Sequence, residues 1–225
     1  MGVLILLGVL IIGYLIGSIP TSIIVAKKVK NIDIREHGSH NAGGTNVGRV
    51  LGKRYGVLVI ALDMLKTIFM IWATYLLLTY TPLSNHLLGN EISYYVYPVA
   101  LAVSIGHCFP IFASFKGGKA VATSAGTILA FSLPITLVAA LAFFLILKIK
   151  KHVSLGSLLG SLIIFLLSFL VLVPSIQNFI VYSPLNPHFM MIIVMFLESV
   201  LLFIRHTPNI KRLFNGTESK IKWMK

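Results

Sequence analysis

Basic residues in this chain occupy only alternate gaps between long apolar stretches, and this pattern limits the possible folds more than any other feature. The apolar stretches fall at about residues 3–26, 56–80, 93–106, 120–132, 134–147, 156–174 and 188–204. Lys and Arg gather in 27–54, at Lys116 and Lys119, in 148–151 and in 205–225, with Lys66 the one outlier. The polar stretches 81–92 and 175–187 contain neither. Positively charged loops stay on the cytoplasmic side during insertion, so the gaps sort by charge onto the two faces of a bilayer.

A helix of ~20 apolar residues spans the ~30 Å of hydrocarbon. The 225 residues are 57% hydrophobic and 11% charged, with a mean hydropathy of +0.93, outside the range of an ordinary soluble domain. The reading is an all-α, polytopic helical membrane protein, one domain over residues 1–225. It has about seven transmembrane helices, the N-terminus outside and the C-terminus cytoplasmic. The run 120–147 is too long for one comfortable span and carries Pro134 in its middle. A single helix there would strand either Lys116 and Lys119 or the 148–151 cluster outside, so two short helices are expected. The N-terminal run is read as a membrane helix, because no basic segment precedes it and it is longer than a signal-peptide core. The net charge of +13 would suggest nucleic-acid affinity in a soluble protein. Here its placement assigns it to the membrane and to anionic ligands, with no nucleic-acid partner. Cys108 is the single cysteine, so no intrachain disulfide forms.

The gaps on the basic side hold the chemistry. The first reads Asp33-Ile-Arg-Glu-His-Gly-Ser-His-Asn-Ala-Gly-Gly-Thr-Asn-Val-Gly-Arg49. Gly38, Gly43 and Gly44 let backbone N–H groups converge without a Cβ in the way; Ser39 and Thr45 add hydroxyl donors, and Arg49 a two-pronged guanidinium. A flexible polar turn is the plainer reading of the same segment. The second loop, Gly106-His-Cys-Phe-Pro-Ile-Phe-Ala-Ser-Phe-Lys-Gly-Gly-Lys119, leads directly into an apolar helix. Glycines and lysines at a helix N-terminus favour a phosphate, although the lysines equally serve as cytoplasmic anchors. It is not a nucleotide-binding P-loop, since Ala113 and Ala120 stand where Gly and Ser or Thr are needed. Ser154 and Ser157 in the third loop also suit helix N-caps. The run from Arg205 to Glu218 leaves the membrane with His206 and Asn209 among cations, and interface anchoring alone would explain those cations.

Three charges lie within apolar stretches. Asp63 and Lys66, three apart, share a helix face and are expected to pair; Glu198 has Arg205 as its nearest candidate. Intramembrane charges mark functional sites, and these three support a rival reading as a transporter or flippase for a phosphorylated metabolite. Against it, the distinctive loops lie on one face, whereas transporters place their sites near the midplane on broken helices.

Taken in order, Gly17-Ser-Ile-Pro20, the Asp33–Arg49 run, the Gly106–Lys119 run, Ser154-Leu-Gly-Ser157, Arg205-His-Thr-Pro-Asn-Ile-Lys-Arg-Leu and Gly216-Thr-Glu218 resemble the bacterial acyl-phosphate:glycerol-3-phosphate acyltransferases over essentially the whole chain. The resemblance implies acyl transfer from acyl phosphate to the sn-1 hydroxyl of glycerol 3-phosphate, giving lysophosphatidic acid and phosphate as the first step of phospholipid synthesis. It implies a multi-pass protein of the bacterial cell membrane with its active site facing the cytoplasm. No cofactor, metal or obligate protein partner is implied. Ser39, Arg49, Lys116, His206 and Asn209 are the implied catalytic set. Asn41, Gly43, Gly44, Thr45, Asn46, His107, Gly117, Gly118, Lys119, Ser154, Ser157 and Arg212 are implied in substrate binding. His40, Gly44, Thr67 and Ala120 depart from the residues usual in that family, namely Gly, Ala, Gly and Gly. No histidine is followed five residues later by aspartate, the pattern of acyl-CoA-dependent acyltransferases. The substrate hydroxyl proton then goes either to His206 or to a phosphate oxygen of the substrate.

Overall fold

The computed structural model describes residues 1–181, 185 and 188–221. Parts of the uncharged stretch 175–187 and the end of the C-terminal basic run, residues 222–225, lie outside the described residues. Among the described residues the chain is helical and contains no strand. All seven apolar stretches form helices.

The first stretch breaks into α1 (Gly2–Gly17) and α2 (Thr21–Lys30). The break falls at Ser18-Ile19-Pro20, because Pro20 has no N–H to continue α1 and disfavours helical backbone at the residue before it. α2 ends on Asn31 in the left-handed region at φ +54°. A short amphipathic helix, α3 (Gly44–Leu51), precedes the 28-residue α4 (Lys53–Tyr80). α5 covers Ser93–Cys108 and α6 covers Val121–Phe131. α7 (Leu133–Lys150) starts where Ser132 Oγ accepts the Ile135 N–H at 3.2 Å and Pro134 fills the first turn. α8 (Val153–Ser168), the single turn α9 (Gln177–Ile180), α10 (Met190–Arg205) and α11 (Thr207–Phe214) complete the chain.

Among the described residues five helical segments are long and apolar enough to cross a membrane: Gly2–Lys30, Lys53–Tyr80, Ser93–Ala113, Leu133–Lys150 and Val153–Leu172. The pair α10–α11, bent by 62°, makes a sixth if it is one broken span. The bend sits at His206-Thr207-Pro208, with Pro208 in the first turn of α11. α6 is different. Its 11 residues rise about 16 Å, roughly half the hydrocarbon thickness. The break expected at Pro134 is present, but only the helix before it is short. Large side chains such as Leu4, Phe69 and Leu141 are 67%, 61% and 72% exposed, which in a helix apolar on every side marks contact with lipid.

Two compact units divide the chain, residues 1–130 and 131–225. In the first, α1 and α5 cross closely enough that a Cβ on Gly17 would overlap the Val103 carbonyl, and one on Gly106 the Tyr14 carbonyl. Small residues bring helix backbones together where lipid offers no hydrophobic incentive to associate. α3 packs on α4 through Gly44, Gly48 and Gly56. Val25, Ala26, Ile34, Val47 and Val59 form the core beneath the first loop. In the second unit α8 packs against α7, α10 and α11, with Phe165 and Phe196 in ring contact at 5.4 Å.

Candidate active site

The first unit brings together the loop 31–43, the α1–α2 break and the loop 109–120. Loop 31–43 is built around Asn46, which is 1% exposed. Its Oδ1 accepts the Ser39 N–H at 2.8 Å, and its Nδ2 donates to the carbonyls of Ile34, His37 and Asn41 at 3.1, 2.9 and 3.1 Å. One amide thus satisfies four backbone groups of a loop that has no ladder of its own. Asn46, expected among the substrate-binding residues, has both its polar atoms engaged by the loop. Gly38, at φ +65°, leaves room for that amide, since a Cβ there would overlap Asn46 Oδ1. Ser39, Thr45 and Arg49 are exposed, while Asn41 and Gly43 are partly so. Gly44 is buried, and a Cβ on it would stand 2.5 Å from Ile60 Cγ1, so its role is the approach of α3 to α4.

Asp33 and Arg35 fasten this loop to the next. Asp33 receives Arg35 Nε and Nη2 at 3.0 and 2.7 Å, and Arg35 Nη1 donates to the Ala113 carbonyl at 2.9 Å. The Arg35 hydrogen bonds hold the Asp33 carboxyl below its ordinary value, overcoming partial burial.

Loop 109–120 closes on itself. The Gly117 N–H donates to the Cys108 carbonyl at 3.2 Å and the Gly118 N–H to the His107 carbonyl at 3.0 Å. These two amides carry the turn, and both glycines are pressed so closely on His107 and its neighbours that a side chain would overlap them. Ser114, Phe115 and Ala120 occupy the left-handed region at φ +53°, +58° and +62°. Non-glycine residues there are uncommon and mark turns or functional strain. Lys116 is exposed and Lys119 partly so.

Lys116, His107, Gly117 and Gly118 share a narrow crevice with Pro20, Thr21, Ser22 and Ala42. Behind it lies a buried polar cluster that joins α4 to the α1–α2 break. Asp63 Oδ1 accepts from Thr21 Oγ1 at 2.6 Å and pairs with Lys66 Nζ at 2.9 Å. Lys66 also donates to the Gly17 carbonyl at 2.9 Å and stands 3.2 Å from His107 Nδ1. The pairing expected from their spacing is present, and Thr21, which sequence reasoning missed, completes it. Signals for the rest of the cluster were absent, because His107 and the Gly17 carbonyl are remote in sequence.

The second unit gathers Ser154, Asn209 and Arg212 on one carboxylate, Glu218. Ser154 Oγ and Asn209 Nδ2 donate to Oε1 at 2.8 and 2.7 Å, and Arg212 Nε donates to Oε2 at 2.7 Å. Burial resists ionisation of Glu218, yet these three donors hold its carboxyl below the ordinary glutamate value. Glu218, part of the Gly216-Thr-Glu218 motif, is thus the common acceptor of Ser154, Asn209 and Arg212. Ser157 is buried and its hydroxyl donates to the Val153 carbonyl at 2.9 Å. Neither Ser154 nor Ser157 is an N-cap, which is His152. His206 is 3% exposed at the α10–α11 bend, with Nδ1 2.9 Å from the Leu202 carbonyl. A carbonyl only accepts, so Nδ1 bears a proton.

Apolar spans, lipid-facing side chains and cationic polar loops define a multi-pass helical membrane protein with a site suited to an anionic substrate. Residues 7–216 match the profile of the family described as glycerol-3-phosphate acyltransferase. The chain belongs to that family. It is 42% identical over 217 residues to the glycerol-3-phosphate acyltransferase of Bacillus subtilis (strain 168), covering 96% of this chain and 97% of that one. The Staphylococcus aureus (strain Newman) protein of the same name is 38% identical with the same coverage. The fold also matches the crystal structure of PlsY (YgiH), an integral membrane glycerol 3-phosphate acyltransferase, in its glycerol 3-phosphate form. The TM-score is 0.77 at 33% identity, over 96% of this chain and 95% of that one. The lysophosphatidic acid form of PlsY matches with a TM-score of 0.76.

Proposed function

We propose that this chain transfers a fatty acyl group from acyl phosphate to the sn-1 hydroxyl of glycerol 3-phosphate, releasing lysophosphatidic acid and phosphate. The observation that carries the reading is an exposed Lys116 beside the buried Asp63–Lys66–His107 cluster in a chain of this family. Both substrates are phosphorylated, so cationic loops hold and orient them. Orientation of two reactants in one complex supplies ~7–11 kcal/mol of barrier lowering in favourable cases. Acyl phosphate is already activated, and attack of the glycerol hydroxyl on its carbonyl carbon expels phosphate without an acyl-enzyme. No cofactor, metal or partner protein enters this scheme.

Ser39, Arg49 and Lys116 are assigned to phosphate, with Asn41, Gly43, Thr45 and Lys119 around them. His206 takes the hydroxyl proton at Nε2, and Asn209 and Arg212 act from the frame of Glu218. Residues 1–225 are read as a single acyltransferase domain. Seven spans, the N-terminus outside and the C-terminus and loops in the cytoplasm follow from the charge pattern, with α6 as the short span. The ion pair that lent support to a transporter is used internally, on Thr21 and the Gly17 carbonyl.

The test is lysophosphatidic acid and phosphate release by the purified protein in lipid, given palmitoyl phosphate and glycerol 3-phosphate, with palmitoyl-CoA as control donor. Product from acyl phosphate alone is expected. No product from either donor, with Lys116→Ala indistinguishable from wild type, would overturn the reading.

A further inference from the structure

His107 stands between the crevice and the buried ion pair, and its two ring nitrogens face different chemistry. Lys66 has three N–H donors and no acceptor. Its near acceptors are Asp63 Oδ1 at 2.9 Å, the Gly17 carbonyl at 2.9 Å and His107 Nδ1 at 3.2 Å; the Ile19 carbonyl is marginal at 3.5 Å. Three donors thus meet three acceptors, provided Nδ1 carries no proton. A protonated Nδ1 would instead point a donor at an ammonium. The alternative partner, Asp63 Oδ1, is 3.5 Å from Nδ1 and already accepts from Thr21 at 2.6 Å. Nε2 is the ring atom closest to where a Cβ on Gly118 would stand, and Gly118 lines the crevice with Lys116.

We propose that Asp63 and Lys66 are positioning residues that hold His107 with its proton on Nε2, so that the ring offers an N–H donor, not a base, to the anionic substrate group at Lys116. The inference rests on the acyltransferase reading of that crevice. It makes the intramembrane pair part of substrate recognition: the ammonium fixes the tautomer, and the carboxylate fixes the ammonium and Thr21. An unprotonated Nε2 would turn a lone pair towards an anion and oppose binding.

Histidine 15N resonances of the labelled protein in micelles read the tautomer directly, with His107 assigned by its loss in His107→Gln. In mildly alkaline buffer the proton is expected on Nε2 in the wild type and on Nδ1, facing Asp63, in Lys66→Met. A proton on Nδ1 in the wild type, or an unchanged tautomer in Lys66→Met, would overturn the proposal. Should Lys66→Met fail to fold, the wild-type tautomer and a kinetic pair still decide it. His107→Gln keeps a donor near the Nε2 place and is expected to lose about tenfold or less in kcat/KM for glycerol 3-phosphate, whereas His107→Phe loses about a hundredfold, mainly in KM. A Gln variant as inactive as the Phe variant removes the donor role. Wild-type protein that shows the Nε2–H tautomer but makes no lysophosphatidic acid would refute the acyltransferase reading and leave the positioning intact.

Discussion

Ser154 Oγ donates to Glu218 Oε1 at 2.8 Å across 64 positions of sequence, so the end of the described chain is tied to the first turn of α8. The Ile221 N–H adds a bond to the Lys151 carbonyl at 2.9 Å. Removing the shared acceptor strands buried donors on Ser154 and Asn209, at ~1–3 kcal/mol each. Glu218→Ala is therefore expected to lower the thermal unfolding temperature of the detergent-solubilised protein clearly, and Glu218→Gln less.

The same carboxylate predicts a pH dependence. Its folded value is depressed, so its stabilisation is fully present above the unfolded value of about 4.3 and is lost as pH falls through the folded value. Unfolding temperature should decline on acidification below about pH 4, and Glu218→Gln should flatten that decline. An identical decline in the variant would count against the hub.

Helix contact in the first unit depends on absent side chains. Gly17→Ala or Gly106→Ala forces a methyl onto a backbone carbonyl of the opposing helix, at ~1–3 kcal/mol for overpacking. Gly8 is the control, since nothing lies within 4 Å of its Cβ position. Thermal unfolding should show both loss variants below wild type and Gly8→Ala equal to or above it.

Asn46→Asp removes the donors that hold three carbonyls of loop 31–43 and buries a charge there. The loop should loosen: trypsin cleavage after Arg35 should accelerate, and kcat/KM for glycerol 3-phosphate should fall at least about tenfold.

His206→Ala tests proton transfer. Loss of a general base is expected to cost about 10²-fold or more in kcat with a small change in KM, read from initial rates over a range of glycerol 3-phosphate. Retained turnover with weakened binding would assign the proton to the substrate phosphate instead. Arg49→Lys should also be poor, because an ammonium does not reproduce the bidentate fork.

Local rules made much of the chain readable. Proline at 20, 134 and 208 falls at three breaks, where it cannot continue the preceding helix, whereas Pro98 is carried within α5. At two of the departures from the resembling family the backbone explains why glycine is usual: His40 and Ala120 adopt φ +56° and +62°, a region where glycine carries no Cβ penalty. Roles within loops were harder to read. Asn46, Gly117 and Gly118 have the composition of an anion cradle, and the fold engages their polar atoms in the loop frames, while Gly44 lets α3 approach α4. Residue type specifies capacity to bond, and the fold chooses the partner.

Hydropathy and charge placement by themselves determined a helical membrane protein, because lipid permits no unsatisfied backbone and cations resist translocation; the three-residue spacing determined that Asp63 and Lys66 pair. Only the tertiary structure decided that this pair reaches the Gly17 carbonyl and His107, and that Glu218 collects Ser154, Asn209 and Arg212. The contacts of Lys66 with the Gly17 carbonyl and His107, and of Ser154 with Glu218, join groups 41 to 64 positions apart across helix packing, which depends on glycine-sized approaches and burial rather than on any pattern local to one segment.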